Sequence, residues 1–385
     1  MDERFPREAQ HYVGQINPRS IMKNRIRNTR RNRCLIEVSH QFVPPRACCA
    51  TIGAAVLVLV AAPAEAQVYA WGNNALGQAS SPSITRTTSV SAGGLHSVAL
   101  HGCGTVVCWG DNTYGQSSVP PSLTSASAVS AGGLHTVAVD IGGAIVCWGD
   151  NAFGQLAAPA GVGLVFQLSA GGFHTVALTQ SGVVCWGDNA HGQCTVPATI
   201  GNTTAVSAGG HHSLAIDSNG RVGGWGSNQF GQIGILPLFM QGIAAGFGHS
   251  LAYNAAGSVV AWGDNALGQC NVPAGLTSVV AVAAGGAHSV ALRSNGTVVA
   301  WGDNLSSQST VPAGIGTIAG ISAGYRHTVA HSNCAADLDG DGVVASADLA
   351  IILSSWATGG GDLDCDGVTS GADLGILVSS WGFCP

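Results

Sequence analysis

Charge is scarce in this 385-residue chain. Only 9% of residues are Asp, Glu, Lys or Arg, against roughly a quarter in an average globular protein. The basic residues crowd into the start: ten of the fourteen Lys and Arg lie within residues 1–46, leaving Arg86, Arg221, Arg293 and Arg326 to face fifteen Asp from Gln67 onward. A surface so short of cations has no electrostatic footprint for nucleic acid or an anionic membrane. Apolar runs of roughly 18 residues are also missing, which excludes a chain that crosses a membrane several times. The aliphatic residues and 56 Gly exclude an ordinary disordered chain.

Residues 47–62 (ACCATIGAAVLVLVAA) form an apolar stretch behind Arg46 and a basic segment. Ala64-Glu65-Ala66 follows, with Gln67 as the expected mature start. Basic flank, short apolar core and small-residue exit make a secretory signal peptide. The run is shorter than the ~20 residues of a spanning helix. Met22 offers a second start for the long extension ahead of it, and Cys48 and Cys49 precede the apolar core, so no lipoprotein cleavage site is formed. The expectation is a leader over residues 1–66 and an exported mature protein without a stable membrane span.

What fills the chain is repetition. Trp-Gly recurs at Trp71, Trp109, Trp148, Trp186, Trp225, Trp262 and Trp301, and Ala-Gly-x-x-His places His96, His135, His174, His212, His249, His288 and His327, with successive spacings of 37 to 39. One unit, residues 166–199, reads FQLSAGGFHTVALTQSGVVCWGDNAHGQCTVPAT. Its apolar runs of four to six residues between turn signals have strand spacing. Four strands per unit are predicted: one ending at Ala-Gly, then His-Thr-Val-Ala-Leu, Val-Val-Cys-Trp-Gly and Gln-Cys-Thr-Val. Asn219-Gly220, Asn295-Gly296 and Ser181-Gly182 mark the second–third hairpin, where positive φ angles are tolerated.

A unit this small cannot bury both faces alone, so units must stack. Radial stacking makes a β-propeller with few exposed edges; an open solenoid is the alternative. The array begins inside a unit, at Val68-Tyr69-Ala70-Trp71-Gly72, and ends inside one, after Ala323-Gly324-Tyr325-Arg326-His327-Thr328-Val329-Ala330. Joining the two halves would close a ring of seven blades over residues 67–333.

Ala-Gly-Gly-x-His-Thr-x-Ala-Leu followed by x-Val-x-x-Trp-Gly-Asp-Asn-x-x-Gly-Gln resembles the regulator of chromosome condensation (RCC1) repeat. With Val-Pro after Gly-Gln, it is similar to the short secreted bacterial propellers of that family, which include a β-lactamase inhibitor. The resemblance implies a seven-bladed all-β propeller that binds proteins. Two units depart from the pattern: Gly223-Gly224-Trp225-Gly226-Ser227-Asn228 lacks the Asp, and Leu305-Ser306-Ser307-Gln308 lacks the Gly.

Seven His spaced one blade apart form a ring rather than a cluster, whereas ligands to one zinc must converge within about 2 Å of it. Each imidazole is expected to bond backbone at its own blade's first turn, satisfying a buried polar group. Asp-Asn after Trp-Gly is a turn former. No catalytic constellation stands outside the repeat, so a non-enzymatic protein is expected.

The variable slots carry more. In an up-and-down blade the first–second and third–fourth turns share one face of the disc. Five residues after each Trp stand Leu76, Tyr114, Phe153, His191, Phe230, Leu267 and Ser306; before each His stand Leu95, Leu134, Phe173, His211, Gly248, Ala287 and Arg326, with Phe247 and Tyr325 beside two of them. Tyr114, Phe153, Phe173, His191, His211, Phe230 and Phe247 are the predicted contact residues for an extracellular protein partner, because aromatics on exposed turns are anchor material. The β-lactamase-inhibiting relative has a more consistently aromatic first–second ring than Leu95, Leu134 and Ala287 provide here.

Residues 334–385 change character. DLDGDGVVASAD (337–348) and DLDCDGVTSGAD (362–373) match at an offset of 25. Asp337, Asp339 and Asp341, and again Asp362, Asp364 and Asp366, take positions 1, 3 and 5 of a twelve-residue calcium loop; Gly342 and Gly367 bend it at position 6, Val343 and Val368 offer carbonyls at position 7, and Asp348 and Asp373 close it. Two Ca²⁺ ions are expected. Each loop leads into a predicted helix carrying Leu349, Ile352, Leu353 and Trp356, or Leu374, Leu377, Val378 and Trp381. Asp at position 12, one helix per loop and tandem duplication resemble a dockerin domain, which implies a cohesin-like partner; a cell-surface partner is the other possibility. Ser354-Ser355 and Ser379-Ser380 replace the basic residues common in dockerin helices.

Nine Cys remain after residue 66, an odd count that leaves at least one unpaired or intermolecular. Cys108, Cys147 and Cys185 replace apolar residues before Trp and are expected as buried thiols. Cys334 and Cys384 bracket the tail and are the candidate pair. The function expected is a secreted interaction propeller on a calcium-binding docking tail. A component of an extracellular polysaccharide-degrading system and an inhibitor of a secreted enzyme are the alternatives.

Overall fold

A computed structural model describes residues 68–84, 86–234, 239–332, 336, 338 and 343–383. The leader and signal peptide, Asp337, Asp339, Asp341, Gly342, Cys334 and Cys384 therefore lie outside the described residues.

Alternating strands and glycine turns fold residues 68–331 into seven three-stranded antiparallel sheets. Blade one contains Thr87–Ala92, His96–His101 and Val106–Gly110. Blades two to six follow at 126–149, 165–187, 203–226, 240–263 and 279–302. The seventh joins both ends of the repeat array: Val68–Gly72 pairs with His327–His331, from Val68 opposite His331 to Gly72 opposite His327, and Gly320–Ala323 pairs on the other side. Apolar side chains meet between sheets, as where Val98, Leu100 and Val129 pack with Trp148.

Among the described residues each blade has three strands, not four. The segment predicted as the outer strand, Gln193-Cys194-Thr195-Val196, is a turn running into irregular chain. Its polar groups bond within the turn instead of pairing with a strand. Gln193 is buried, its Nε2 donates to Asp188 Oδ2 at 2.8 Å, and Cys194 N–H donates to Asn189 Oδ1 at 2.8 Å. In most blades the backbone carbonyl of the matching Gln receives the next blade's indole, as from Trp109 Nε1 to Gln78 (3.0 Å) and Trp186 Nε1 to Gln155 (2.9 Å). The exception is Trp225, whose Nε1 is buried without a partner, while the Gln193 carbonyl accepts from Ser213 Oγ at 2.8 Å. Glycine keeps this turn relaxed, as Gly115 does at φ +80°; where blade six lacks it, Ser307 is held at φ +63°. At the hairpins, only the glycine of Asn219-Gly220 and Asn295-Gly296 has positive φ (+74° and +76°).

The seven histidines correct a second expectation. Rather than bonding its own turn, each Nε2 meets a hydroxyl of the next blade: His96 with Thr136, His135 with Thr175, His174 with Ser213, His212 with Ser250, His249 with Ser289, and His288 with Thr328, all at 2.8–3.0 Å. His327 reaches Ser97 at 2.8 Å, completing the circle. Ser97 spends its one proton on the Gln78 carbonyl at 2.9 Å, so its oxygen accepts from the imidazole N–H. All seven rings are completely buried. The same direction holds wherever the hydroxyl bonds its Gln carbonyl, as Thr136 and Ser250 do.

Cysteine pairing departs from expectation as well. Cys185 is not a thiol but bonds Cys194 within its blade, while Cys108, Cys147 and Cys270 are free. The half-buried thiols of Cys108 and Cys147 are pushed up to about 12 by burial. Blade five places Cys270 where blade three has Cys194, and Ala261 where it has Cys185. Ala261→Cys should therefore bond Cys270 across a Cα separation near the 5.1 Å of the natural pair, and stabilise by about 2 kcal/mol. Non-reducing peptide mapping checks the bond.

Candidate functional site

Backbone hydrogen bonds fix which turns share a face. Asp111 N–H donates to the Leu95 carbonyl, Asp150 to Leu134, Asp188 to Phe173, Asp264 to Gly248 and Asp303 to Ala287, each at 2.9 Å. Every donor opens a post-Trp turn and every acceptor sits just before the blade's His. The two turn sets are thus zipped together on one side of the disc. Within the outer turn, Asp111 Oδ1 accepts from Thr113 N–H and Gln116 Nε2 donates to Asp111 Oδ2 at 2.8 Å. These carboxylates hold the turns in shape.

On that face the structure brings five of the seven predicted residues together. Ring centroids run from Phe153 to Phe173 (5.2 Å), Phe173 to His211 (5.6 Å) and His211 to Phe247 (5.7 Å), with His191 against His211 at 4.9 Å. Tyr325 extends the path from Phe247 at 5.9 Å, and the Arg326 guanidinium lies 5.8 Å from the Tyr325 centroid. Tyr114 and Phe230 make no ring contact in this path and stand out as single anchors, each 53% exposed. Phe173 is only 6% exposed, so it supports the path from beneath and is not the exposed anchor expected of it. Leu76 and Leu267 add exposed apolar surface on neighbouring turns.

Phe247 and Tyr325 come from blades five and seven, with blade six between them. They occupy the slot that is Gly94, Gly133, Gly172, Gly210 and Gly286 elsewhere. A Cβ on Gly210 would lie 2.7 Å from the Phe247 ring, and one on Gly286 2.8 Å from the Tyr325 ring. Glycine in the preceding blade thus makes room for each aromatic. The sequence signal for Tyr325 was this break in Ala-Gly-Gly. His211 lies 3.9 Å from Asp188. Burial and the neighbouring His191 hold its pKa below the ordinary 6.5, with Asp188 opposing.

The RCC1 repeat, the regulator of chromosome condensation repeat, is matched at residues 88–116, 126–155, 167–193, 204–232, 241–269 and 279–308. The chain carries RCC1 repeats and has an RCC1-type β-propeller fold. Among solved structures, Prp20p of Saccharomyces cerevisiae is similar at 18% identity and a TM-score of 0.58, over 69% of this chain and 91% of that one. Human WBSCR16 is similar at 19% identity and 0.59, over 68% and 98%. The ectodomain of the Physcomitrella patens receptor kinase CR4 is similar at 23% and 0.54, over 63% and 69%. At these identities the likeness is one of fold. The yeast protein was described with its binding to Gsp1p and histones. No curated protein matches the chain by sequence.

Behind the RCC1 propeller, the tail forms two short helices, α1 (Ser346–Ser354) and α2 (Gly371–Ser379), with Val343–Val344 pairing Gly382–Phe383. The duplication is visible in hydrogen bonds. Asp348 accepts from Leu338 N–H (2.6 Å) and Ala345 N–H (2.8 Å); 25 residues on, Asp373 accepts from Leu363 N–H (2.5 Å) and Ser370 N–H (2.6 Å). Both carboxylates cap their helix and staple the loop entrance to it. Burial opposes ionisation of Asp373, but bonds from Ser370, Asp364 and Leu363 outweigh it and hold its pKa below the ordinary range.

In the second loop Asp362, Asp364 and Asp373 each present an oxygen within 4.8 Å of the others. Asp366 is not in that group; its Oδ1 accepts from Val368 N–H at 2.8 Å. In the first loop, Val343 and Asp348 are described. Ile352 and Leu377 are buried between the helices, while Leu353, Trp356, Val378 and Trp381 are exposed; Trp356 and Trp381 lie beyond the helix ends. The tail sits by blade one's second–third hairpin, the end of the strands away from the aromatic turns. There Cys103 is disulfide-bonded to Cys365, a link that the sequence reading missed.

Proposed function

We propose that this protein is an exported, non-enzymatic interaction module. Its RCC1 propeller binds a protein partner through the aromatic turn face, and its tail folds around calcium. The observation that carries the reading is the path Phe153–Phe173–His211–Phe247–Tyr325 flanked by exposed Tyr114 and Phe230. Aromatic rings concentrate binding energy because they bury large areas at low entropic cost, and a few such anchors dominate most interfaces. Rigid turns zipped by backbone bonds present them preorganised.

Export is supported by Cys103–Cys365 and Cys185–Cys194, since disulfides persist in oxidising compartments. Calcium is supported by the three convergent carboxylates of the second loop, a hard oxygen donor set suited to a hard cation. Leu353 and Trp356, repeated as Val378 and Trp381, offer the tail a second apolar surface, the one a cohesin-like partner would meet.

Tyr114→Ala with Phe230→Ala should leave the fold intact, since both rings are exposed, and weaken partner binding at least ~30-fold, or about 2 kcal/mol. Wild type and variant, immobilised in calcium and again in chelator, would be incubated with growth medium. A protein retained by wild type and lost by the variant in both conditions supports the turn face. Equal retention by both would sink it.

A further inference from the structure

The second calcium loop is built partly from the propeller. Cys365, at loop position 4 between Asp364 and Asp366, is bonded to Cys103, 262 residues earlier, with a Cα separation of 5.5 Å. The Arg86 guanidinium donates to the Asp362 carbonyl and, at 2.9 Å, to the Leu363 carbonyl. It also lies 3.2 Å from Cys365 Sγ. The two propeller segments are themselves joined, because Gly102 N–H donates to the Arg86 carbonyl at 2.8 Å. Loop positions 1, 2 and 4 are thus fixed from outside the tail, while Asp373 fixes the loop from within through Leu363, Asp364 and Ser370.

Three carboxylates so close repel one another, and a loop free to move would spread them. Ordering the loop must then be charged against metal binding. With the loop already tethered, that entropic cost is met on folding. Resting on the calcium reading above, we propose that Cys103 and Arg86 are positioning residues for the tail's second metal loop, so that its calcium affinity is set by the propeller's grip. The first loop has the same internal staple, Asp348 to Leu338 and Ala345, but position 4 there is Gly340, which can form no such bond. The duplicated loops should consequently differ in affinity, and only one should depend on the disc.

The test uses the full chain in two backgrounds. Asp339→Asn with Asp341→Asn disables the first loop and leaves the second to be read; Asp364→Asn with Asp366→Asn does the reverse. Calcium titration by calorimetry is then repeated with Cys103→Ser and, to exclude mispairing of the freed partner, with Cys365→Ser. Both serine variants should weaken the second loop about tenfold, the factor for leaving roughly one more loop residue to be ordered by the metal, and leave the first loop unchanged. An unchanged second loop, or equal weakening of both loops, overturns the proposal while leaving the calcium reading standing. Absence of calcium binding in either background overturns the calcium reading and this inference with it.

Discussion

The propeller is expected to unfold cooperatively near pH 5 (roughly one and a half pH units below the ordinary histidine value), although few of its surface groups titrate there. Burial drives the ring imidazoles down from 6.5: His96, His174, His212 and His288 to about 3, and His135, His249 and His327 to about 4. Nearby Asp150 and Asp264 oppose the shift for His135 and His249 without reversing it. Each Nδ1 is buried without a hydrogen-bond partner, so a second ring proton would find neither solvent nor acceptor.

The sign follows from linkage. With folded pKa values below the unfolded one, the unfolded chain binds more protons between about 4 and 6.5. The histidines' contribution is complete above pH 6.5 and is lost as pH falls toward the folded values. Each proton taken up on unfolding lowers stability by about 1.4 kcal/mol per pH unit, so seven acting together reach a slope of about 10 kcal/mol per pH unit. Total stability is only about 5–15 kcal/mol. The fold should therefore fail before the imidazoles titrate in place. Unfolding midpoints in denaturant, measured from pH 7.5 to 4.5, check this. Stability that stays level across that range would contradict the buried neutral ring.

The ring was legible because seven Trp-Gly and seven Ala-Gly-x-x-His signals recur at one period, and because half-units at Val68–Gly72 and Gly320–His331 complement each other. Periodicity reports what repeats, and it reports nothing about which repeat a side chain reaches. His96 and Thr136 are 40 residues apart, so the interblade bond is invisible until the blades are stacked. The outer strand failed for a related reason. Val, Thr and Cys after Gly-Gln have strand propensity, but the Gln carbonyl is already committed to the neighbouring blade's Trp, as Gln155 is to Trp186. Tertiary demand overrode local preference.

On the turn face, residue position within the repeat puts Tyr114, Phe153, His191 and Phe230 in equivalent post-Trp turns. It could not separate the exposed Tyr114 from the buried Phe173, since exposure depends on which neighbour covers the ring. Cys103–Cys365 had no local signal at all: one cysteine sits in a hairpin and the other in an Asp-rich loop of the tail. Only the docking of the tail on blade one makes them partners.

The second large effect is expected from Trp71→Ala. Trp71 is 7% exposed, packs with Leu292, Ile318 and Ala330, and donates from Nε1 to the Gln308 carbonyl at 3.0 Å. Trp109 is a matched control, 9% exposed with the same bond to Gln78 at 3.0 Å. Removing either indole should cost about 3–5 kcal/mol in lost burial and cavity formation. The consequences should nevertheless differ. Trp109 lies on a strand joined by a short hairpin to its partner, so loosening there stays within one blade. Trp71 lies on Val68–Gly72, which meets His327–His331 only through the closing sheet; no short turn holds the pair together. Weakening that strand frees the edge at His327–His331 and opens the ring, and an unpaired sheet edge recruits other chains. Trp71→Ala should therefore lower amide protection along His327–His331 and shift the protein toward oligomers. Trp109→Ala should destabilise by a similar amount yet sediment as the wild type does. Identical exchange and sedimentation in the two variants would show that closure depends on the circle of histidine and hydroxyl bonds more than on the joined sheet.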